Sequence, residues 1–402
     1  MNKIKLGDVL DFKRGMSVAG EFYSNEGRYV RLTLGNFTYP ECGFKFNTSK
    51  EDLYYTGTIR KEFIMKKGDI ITPLTEQVRG LLGNTATIPE DGLYIQTQDV
   101  AKVIPNETKI DKRFAYYLVS SPTVKKQLDA GSQQTKIRHT SPNKLKDCYA
   151  YLPELNTQKK IVKLLDSIKD KIETNNKINA ELESMAKTLY DYWFLQFEFP
   201  NEEGKPYKSS GGKMVWNEEL KREIPEGWEL KHAYEIADIK TGKEDANHST
   251  ENGKYPFFTC SNDILRCDDY KFEGNVILIA GNGDFNVKHY NGKFNAYQRT
   301  YVIKPYDEKY IGLFHICCNQ TVEQFKKGSN GSIVKFITLS DIQNVKMLDC
   351  KNDNLLTTFN KSLEQIDCLK KENEELLSLR DFLLPLLMNG QVTFKENKLW
   401  IG

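Results

Sequence analysis

Two polar segments of the chain carry side chains of the types that hydrogen-bond to the edges of nucleic-acid bases. Arg, Lys, Asn, Gln and Thr can reach such edges when they stand on loops. One segment is TPLTEQVRGLLGN, which follows a β-like run, and the other is GNGDFNVKHYNGKFNAYQR. The predicted base contacts are Thr72, Thr75, Gln77, Arg79 and Asn84 in the first segment and Asn282, Asn286, Lys288, Gln298 and Arg299 in the second. The alternative for each is an ordinary solvent-exposed turn residue.

A second set of side chains suits the phosphate backbone, which positions a protein on nucleic acid without reading its sequence. The predicted phosphate contacts are Lys13, Arg14, Ser132, Lys136 and Arg138 and, in matching places later in the chain, Lys240, Lys243, Ser329 and Lys335. Residues 1–150 hold 23 Lys+Arg against 17 Asp+Glu, whereas residues 231–350 hold 15 of each. Charge alone therefore gives weak support for nucleic acid in the first part and none in the second.

Sequence signals of catalysis are missing. The chain has no phosphate loop, no HExxH metal motif and no Pro-Pro pair of the kind that amino-methyltransferases use to grip their target. Eight cysteines without CxxC spacing and five scattered histidines predict reduced thiols and no metal site. We therefore expect no catalytic residue and no cofactor in this chain, and a function in binding.

A long helix is predicted for residues 161–193, and a similar one returns after a shift of 194 residues. Apolar residues recur at steps of four and three in both, which is the period of a coiled-coil seam. The predicted seam consists of Ile161, Leu165, Ile168, Ile172, Asn179, Leu182, Leu189, Ile366, Leu369, Asn373, Leu376 and Leu383. Asn179 maps onto Asn373, so we expect an antiparallel seam with these two residues opposite each other.

The segments around the helices repeat as well. KLGDVLDFKRG (5–15) matches HAYEIADIKTG (232–242) with a shift of 227, and GDII (68–71) matches GNVI (274–277) with a shift of 206. GSQQTKIRHTSPNKL (131–145) matches GSNGSIVKFITLSDI (328–342) with a shift of 197. Short β-like runs between Gly, Asn and Asp turns predict strands, and one helix is expected to close each sheet, at 113–128 and 311–327.

The chain length of 402 residues requires more than one core. The predicted fold class is α+β: two domains with curved, mostly antiparallel sheets, separated by two long helices that form an antiparallel coiled coil in a pseudo-twofold repeat.

Two stretches resemble the specificity subunits of type I restriction-modification systems. YLPELNTQKKIVKLLDSI (151–168) is similar to the entry of the first conserved helix of that family. EFPNEEGKPYKSSGGKMVWNEELKREIPEGWEL (198–230) is similar to its arm into a second target-recognition domain. The resemblance implies target-recognition domains at 1–152 and 231–350, spacer helices at 153–199 and 351–389, a linker arm at 200–230 and a tail at 390–402. MLDCKNDNLLTTF (347–359) lacks the Leu-Pro and Gln of the first copy, so the start of the second helix stays open.

By this resemblance, the chain is a DNA-binding specificity subunit that reads a bipartite double-stranded target. Its helices would dock two methyltransferase subunits, with or without restriction subunits. S-adenosylmethionine and adenine methylation would belong to the methyltransferase, and the complex would work in the cytoplasm. Two alternatives remain: a single-chain restriction or modification enzyme with a cryptic catalytic site, and a coiled-coil scaffold that binds no DNA.

Overall fold

The structure is a computed structural model that describes residues 2–39, 41–47, 52–77, 79–130, 138–283, 285–327, 336–395 and 398–401. It divides into two units: Met1–Ile172 with Glu375–Gly402, and 173–374. Both boundaries fall inside long helices, so each unit contains one globular domain and part of each helix. The first unit is therefore discontinuous in sequence.

The first globular domain consists of short strands and three short helices. Its strands are β1 (Asn2–Lys5), β2 (Leu10–Arg14), β3 (Tyr23–Ser24), β4 (Tyr29–Arg31), β5 (Tyr54–Tyr55), β6 (Ile70–Pro73), β7 (Thr75–Glu76), β8 (Ala86–Thr87), β9 (Tyr94–Ile95), β10 (Val100–Pro105), β11 (Arg138–His139) and β12 (Tyr149–Leu152). Its helices are α1 (Lys112–Val119), α2 (Pro122–Ala130) and α3 (Pro142–Asp147). Pro122 begins α2, so the helix predicted at 113–128 is two helices, because proline cannot continue a hydrogen-bonded turn.

The main sheet of the first domain is antiparallel and has the order β2-β10-β6-β8. A smaller sheet has the order β3-β5-β4-β9, in which β4 and β9 run parallel. β1 pairs with β12, and β7 pairs with β11. Ile70 and Phe114 lie in a core that also takes in Ile161 and Leu383 from the long helices. Ile71, on the opposite face of the sheet, lies in a second, smaller core.

The second globular domain repeats this plan with longer central strands. Its strands are β13 (Met214–Asn217), β14 (Arg222–Pro225), β15 (Glu229–His232), β16 (Ala237–Thr241), β17 (Tyr255–Phe258), β18 (Leu265–Cys267), β19 (Phe272–Ala280), β20 (Val287–Ala296), β21 (Thr300–Pro305) and β22 (Lys346–Asp349). Its helices are α5 (Ala233–Ile236), α6 (Ile311–Lys327) and α7 (Leu339–Gln343). The main sheet has the order β16-β21-β19-β20-β17-β18, and β17 and β20 run parallel.

Two long helices complete the units, α4 (Leu155–Tyr190) and α8 (Asp353–Met388). A π-helical turn at Asp191–Leu195 follows α4. After α8, the hairpin β23 (Val392–Lys395) and β24 (Lys398–Ile401) belongs to the first unit. Among the described residues, no helix has the length and apolar character needed to cross a membrane.

The main sheets of the two domains share one strand register. β2 pairs with β10 as β16 pairs with β21, since Arg14 opposes Ala101 and Thr241 opposes Tyr301. Equivalent residues thus differ by 227 in the first strand and by 200 in the second. The predicted shift of 227 is confirmed.

The short helices before the last strand of each domain share even their caps. Ser141 accepts a hydrogen bond from the Lys144 N–H at 3.2 Å, and Thr338 accepts one from the Asp341 N–H at 3.2 Å. A side-chain oxygen at this position satisfies a backbone donor that the first helical turn leaves unpaired. The predicted shift of 197 is therefore confirmed over this part of the repeat.

The central strands correct the third predicted shift. Ile70 opposes Val103 in the first domain, and Ile277 opposes Ile303 in the second. The shift between β6 and β19 is therefore 207, and the predicted match of GDII with GNVI is wrong by one residue. A one-residue error exchanges the two faces of a strand, because neighbouring side chains point to opposite sides of a sheet.

The long helices run antiparallel, as predicted. In the second unit, Trp193 packs edge-on against Phe359 with ring centroids 5.9 Å apart, and Lys370 lies 3.9 Å from Glu183. Residue numbers thus rise along one helix while they fall along the other. Among the predicted seam residues, the buried ones are Ile161, Leu165, Ile168, Asn179, Ile366, Asn373 and Leu383, and the half-buried ones are Ile172, Leu182, Leu189, Leu369 and Leu376.

The polar pairing in the seam differs from the prediction. α4 and α8 each have 36 residues and begin 198 residues apart, not 194. Asn175 Nδ2 donates to Asn373 Oδ1 at 2.9 Å, and Asn373 Nδ2 donates to Asn176 Oδ1 at 2.9 Å. The predicted pairing of Asn179 with Asn373 is therefore wrong by four residues. Four residues make about one helical turn, so the apolar stripe is nearly unchanged by the error.

The arm between the domains is packed by aromatic side chains. Phe199 stacks on Tyr207 at 4.6 Å and on Trp228 at 4.8 Å between ring centroids. Trp228 is 8% exposed and Ile224 is 3% exposed. The Gly- and Ser-rich segment predicted as a linker is therefore folded against the second domain.

Candidate nucleic-acid interface

In each domain, four short segments meet where the central strands of the main sheet end. They are 15–16, 74–76, 98–99 and 138–140 in the first domain and 242–243, 281–283, 298–299 and 336–337 in the second, and we call each set the edge cluster. The Thr140 N–H donates to Leu74 O at 2.8 Å, and the Ile337 N–H donates to Gly281 O at 2.9 Å. The two clusters are thus joined by equivalent backbone bonds.

A glycine is required at one position of each edge cluster. A Cβ atom on Gly15 would lie 2.3 Å from the carbonyl oxygen of Thr97, and one on Gly242 would lie 2.1 Å from that of Tyr297. These separations are far below van der Waals contact. The identical glycines noted in the sequence repeat therefore allow the first strand to approach the start of its neighbour.

Gln77 and Arg79 face solvent among the base candidates of the first domain. The enclosed candidates are Thr72, Thr75 and Asn84, which are 0%, 7% and 0% exposed. Asn84 Nδ2 donates to Thr38 O at 2.8 Å, so this side chain ties two loops together. An enclosed side chain cannot reach a base edge in this conformation. The structure therefore leaves Gln77 and Arg79 as the candidates on this loop.

Arg79 and Arg138 share one carboxylate. Arg79 Nη2 lies 2.8 Å from Asp129 Oδ2, and Arg138 Nη1 contacts the other oxygen of Asp129 and lies 3.4 Å from Glu76 Oε1. The hydrogen bonds from Arg79 and Arg138 lower the pKa of Asp129 to about 2. Glu76 is 2% exposed and accepts the Leu82 N–H at 2.9 Å. Arg138, predicted to contact phosphate, is thus enclosed in this network, whereas the Arg79 side chain remains 75% exposed.

The first candidates of the second domain hold a neighbouring loop. Asn286 Nδ2 donates to Cys260 O at 3.0 Å, and Lys288 Nζ donates to Ser261 O at 2.7 Å. Burial lowers the pKa of Lys288. Asn282 stands half-buried in the turn after β19. These contacts give Asn286 and Lys288 a role in shaping the loop that follows β17.

Gln298 and Arg299 lie at the rim of a cavity of about 440 Å³. The cavity is lined by Gly281, Gln298, Arg299, Tyr301, Phe336, Ile337, Thr338 and Leu339. Gln298 Nε2 donates to Asp245 Oδ1 at 3.1 Å. The Arg299 guanidinium has no hydrogen bond or ion pair to any described residue. This arginine is therefore available to a ligand, in contrast to Arg79.

The phosphate candidates that the structure describes stand on or beside the first strand of each main sheet. Lys13, Arg14, Lys240 and Lys243 are exposed. Arg14 Nε donates to Gln98 O at 2.7 Å, which anchors it to the edge cluster. The candidates Ser132, Lys136, Ser329 and Lys335 lie outside the described residues.

A group of possible metal ligands that the sequence did not reveal lies in the second domain. His248, Cys267 and Asp269 place ligand atoms within 4.8 Å of one another. His248 Nε2 lies 2.7 Å from Asp269 Oδ1, and its Nδ1 lies 3.4 Å from Glu244 Oε2. Burial raises the pKa of Cys267, whereas a metal needs the thiolate. We interpret this group as an ion-pair network centred on His248, whose members are too far apart in sequence for a motif.

The sequence matches the family described as "Type I restriction modification DNA specificity domain" over residues 1–184 and 225–347. It is 32% identical over 177 residues to the type I restriction enzyme EcoDI specificity subunit of Escherichia coli, a match that spans 42% of this chain and 40% of that protein. It is 27% identical over 328 residues to the MjaIX specificity subunit of Methanocaldococcus jannaschii, spanning 74% of this chain and 73% of that protein.

The fold is similar to that of a solved type I restriction-modification S subunit from M. genitalium. The TM-score is 0.58 at 18% sequence identity, and the match covers 96% of both chains. At this identity the likeness concerns the fold alone. The predicted α+β architecture with two recognition domains and a long helix between them is confirmed.

Proposed function

Since the chain belongs to the type I restriction-modification DNA specificity family, we propose that it binds a bipartite DNA target, one half with each globular domain. The reading domains would be 1–152 and 231–350. The base contacts would come from the exposed residues of the edge clusters and the loops beside them, with Lys13, Arg14, Lys240 and Lys243 on phosphates.

The observation that carries this proposal is the duplicated edge cluster. Both clusters are joined by backbone bonds of the same pattern, yet their side chains differ in charge and size. Backbone contacts to DNA position a protein, whereas side chains at base edges specify the sequence. A constant backbone with varied side chains is what two readers of different half-sites require.

Two tethered readers gain more than either alone. A good base contact contributes roughly 1–3 kcal/mol of discrimination, so one small domain distinguishes few base pairs. Binding of the second domain becomes intramolecular once the first has bound, which raises its effective concentration. A continuous helix of 36 residues has a length of about 54 Å, a suitable spacer between half-sites.

The long helices would also dock partner subunits. Large apolar side chains on them remain exposed, among them Met185 at 58%, Leu379 at 45% and Phe382 at 65%. Exposed apolar groups of this size are typical of protein interfaces when they cluster. The proposed partners are two methyltransferase subunits, with restriction subunits as further members. S-adenosylmethionine and the methylation of adenine would belong to the methyltransferase.

The test is to express the chain with its methyltransferase and to map the methylated sites in the host genome. We expect a motif of two specific halves separated by a spacer of fixed length. Exchange of residues 15–131 for the matching stretch of a related protein should change one half only, and exchange of 242–328 should change the other. A change in both halves after one exchange, or in neither, contradicts the proposal.

A second measurement separates this function from that of a single-chain enzyme. The purified chain is incubated with DNA, magnesium and labelled S-adenosylmethionine, and methyl transfer and strand cleavage are measured. We expect neither reaction without the partner subunit. Stoichiometric methylation, or cleavage that a point substitution in this chain removes, would assign catalysis to the chain itself.

A further inference from the structure

We propose that one backbone position, occupied by Asp99 in the first domain and by Arg299 in the second, selects a base pair in each half-site. Arg299 would donate to guanine, and Asp99 would accept from the exocyclic amino group of cytosine. The inference rests on the proposed function and adds to it a named pair of specificity residues of opposite charge.

Backbone bonds establish the equivalence of the two positions. The Leu74 N–H donates to Asp99 O at 2.8 Å, and the Gly281 N–H donates to Arg299 O at 2.8 Å. These donors end the equivalent strands β6 and β19, which were aligned independently through their register. The difference of 200 between Asp99 and Arg299 is the shift that relates β10 to β21.

The turns that precede the two residues are also equivalent. The Val100 N–H donates to Thr97 O at 3.1 Å, and the Thr300 N–H donates to Tyr297 O at 2.8 Å. The residues between them are Gln98 with Asp99 and Gln298 with Arg299. The same glutamine thus stands first in both turns, and the second residue changes from an anion to a cation.

Both side chains are available for a ligand. Asp99 is half-buried and Arg299 is exposed. Neither charged group has a hydrogen bond or an ion pair to a described residue. The exposed Arg79, in contrast, is held by Asp129 at 2.8 Å. Two unpaired charges at one duplicated position favour a role in binding over a role in stabilising the fold.

The chemistry of the two residues fits base edges. An arginine donates two parallel hydrogen bonds to O6 and N7 of guanine, and a carboxylate accepts one from N4 of cytosine. A phosphate contact does not explain the pair, because a carboxylate is repelled by phosphate. Cations elsewhere in the two edge regions, at Lys13, Arg14, Lys240 and Lys243, suit the phosphates in both domains.

The experiment uses the full chain in complex with its methyltransferase. Methylation rates are measured on a DNA library in which each position of both half-sites is randomised. The variants are Asp99→Asn, Arg299→Lys and Arg299→Ala. Matched controls lie at the far ends of the same strands: Glu107→Gln after β10 and Lys304→Ala in β21. Melting temperatures of all variants are compared so that misfolding is recognised.

We expect each variant at positions 99 and 299 to lower discrimination at one base pair of its own half-site by about 5- to 150-fold. Arg299→Lys keeps the charge and should still lose discrimination, because lysine cannot form the two parallel bonds. The controls should leave the preference unchanged. The other half-site should be read as before.

Three outcomes are distinguishable from these. If the wild-type complex methylates without a bipartite preference, the proposed function fails. If that preference exists and the variants keep it, the inference about Asp99 and Arg299 is overturned. If Arg299→Ala slows methylation of all sequences equally and reduces the salt dependence of binding, Arg299 contacts phosphate and the inference is likewise overturned.

Discussion

Asp129 is the carboxylate on which Arg79 and Arg138 converge, and its titration should be visible in stability. Its pKa is about 2 in the folded protein, below the ordinary value of 3.8. A carboxyl group whose pKa is lowered on folding stabilises the protein above its unfolded pKa and loses this effect as pH falls toward the folded value. We predict that Asp129→Asn lowers stability at pH 7 and that the difference from wild type shrinks between about pH 4 and pH 2.

Urea unfolding of both proteins at several pH values measures this difference. Asp307→Asn serves as a control, because Asp307 is an exposed carboxylate outside the arginine network. A difference between wild type and Asp129→Asn that stays constant down to pH 2 would contradict the lowered pKa.

Gly15 and Gly242 should tolerate no side chain. A Cβ atom at either position meets a backbone carbonyl oxygen, which cannot move away as the end of a flexible side chain can. We predict that Gly15→Ala and Gly242→Ala each cost about 1–3 kcal/mol of unfolding free energy, as overpacking does. Gly20→Ala is the control, since its Cβ would meet only Tyr23 Cε2, at 4.0 Å.

Each glycine variant should also weaken recognition of its own half-site only, because the glycine holds the edge cluster of one domain. Thermal melting and methylome mapping measure the two effects. Equal melting temperatures for Gly15→Ala and Gly20→Ala would show that the close approach is not rigid.

Residue types alone could not separate the exposed candidates from the buried ones. Thr72 and Asn84 have side chains that suit base edges, yet both are fully enclosed. Asp99 was absent from the predicted contacts because a lone Asp after a Gln has no distinctive spacing. Its interest comes from its match with Arg299, which depends on hydrogen bonds that the sequence does not display.

At the scale of the helices, the asparagines of the seam allow a double-mutant test. Asn175 is fully buried and bonds Asn373, so Asn373→Leu leaves a buried donor without its partner, at a cost of about 1–3 kcal/mol. Replacing both by Leu should recover most of that loss, because no buried polar group then remains unpaired in the pair. Urea unfolding of the two single variants and the double variant measures the coupling.

Asn179→Leu is the matched control. Asn179 is 7% exposed and its Oδ1 has no hydrogen-bond partner among the described residues. Its replacement should leave stability unchanged or raise it. If Asn179→Leu were as destabilising as Asn373→Leu, the pairing of Asn175 with Asn373 would not be the polar contact that matters.

The sequence predicted the helices, their antiparallel seam and most of the strand register, and its errors have a common cause. An apolar stripe repeats every turn, so shifts of 194 and 198 residues both align it. Helix starts and the bond between Asn175 and Asn373 distinguish the two, and both depend on tertiary structure. The error at β6 arose because matching glycines outweighed the alternation of side chains along the strand.

For the whole molecule, the length of the helices should set the distance between half-sites. One heptad inserted after Asn175 and one after Asn373 lie at paired positions of the seam and preserve its apolar period. Each helix becomes longer by about 10 Å. At roughly 3.4 Å per base pair, the spacer should grow by about three base pairs while the bases read in each half stay the same.

Methylome mapping with the lengthened chain measures the spacer. Affinity should fall, because the duplex turns over the added length and the second domain must follow it. An insertion in α4 alone is the control, and it should disrupt the seam. An active protein with both insertions and the original spacer would show that the helices do not fix the distance.

The discontinuous first unit has a consequence for biosynthesis. The second unit, 173–374, is one uninterrupted stretch, whereas the first needs residues from 375 onward. Leu383, Leu387 and Met388 complete the apolar core that contains Phe114 and Ile161. Although a ribosome makes the first domain before the second, the second can close earlier, and the first holds an unfinished core until translation ends. A premature stop codon near position 375 would therefore damage the domain that is encoded at the opposite end of the gene.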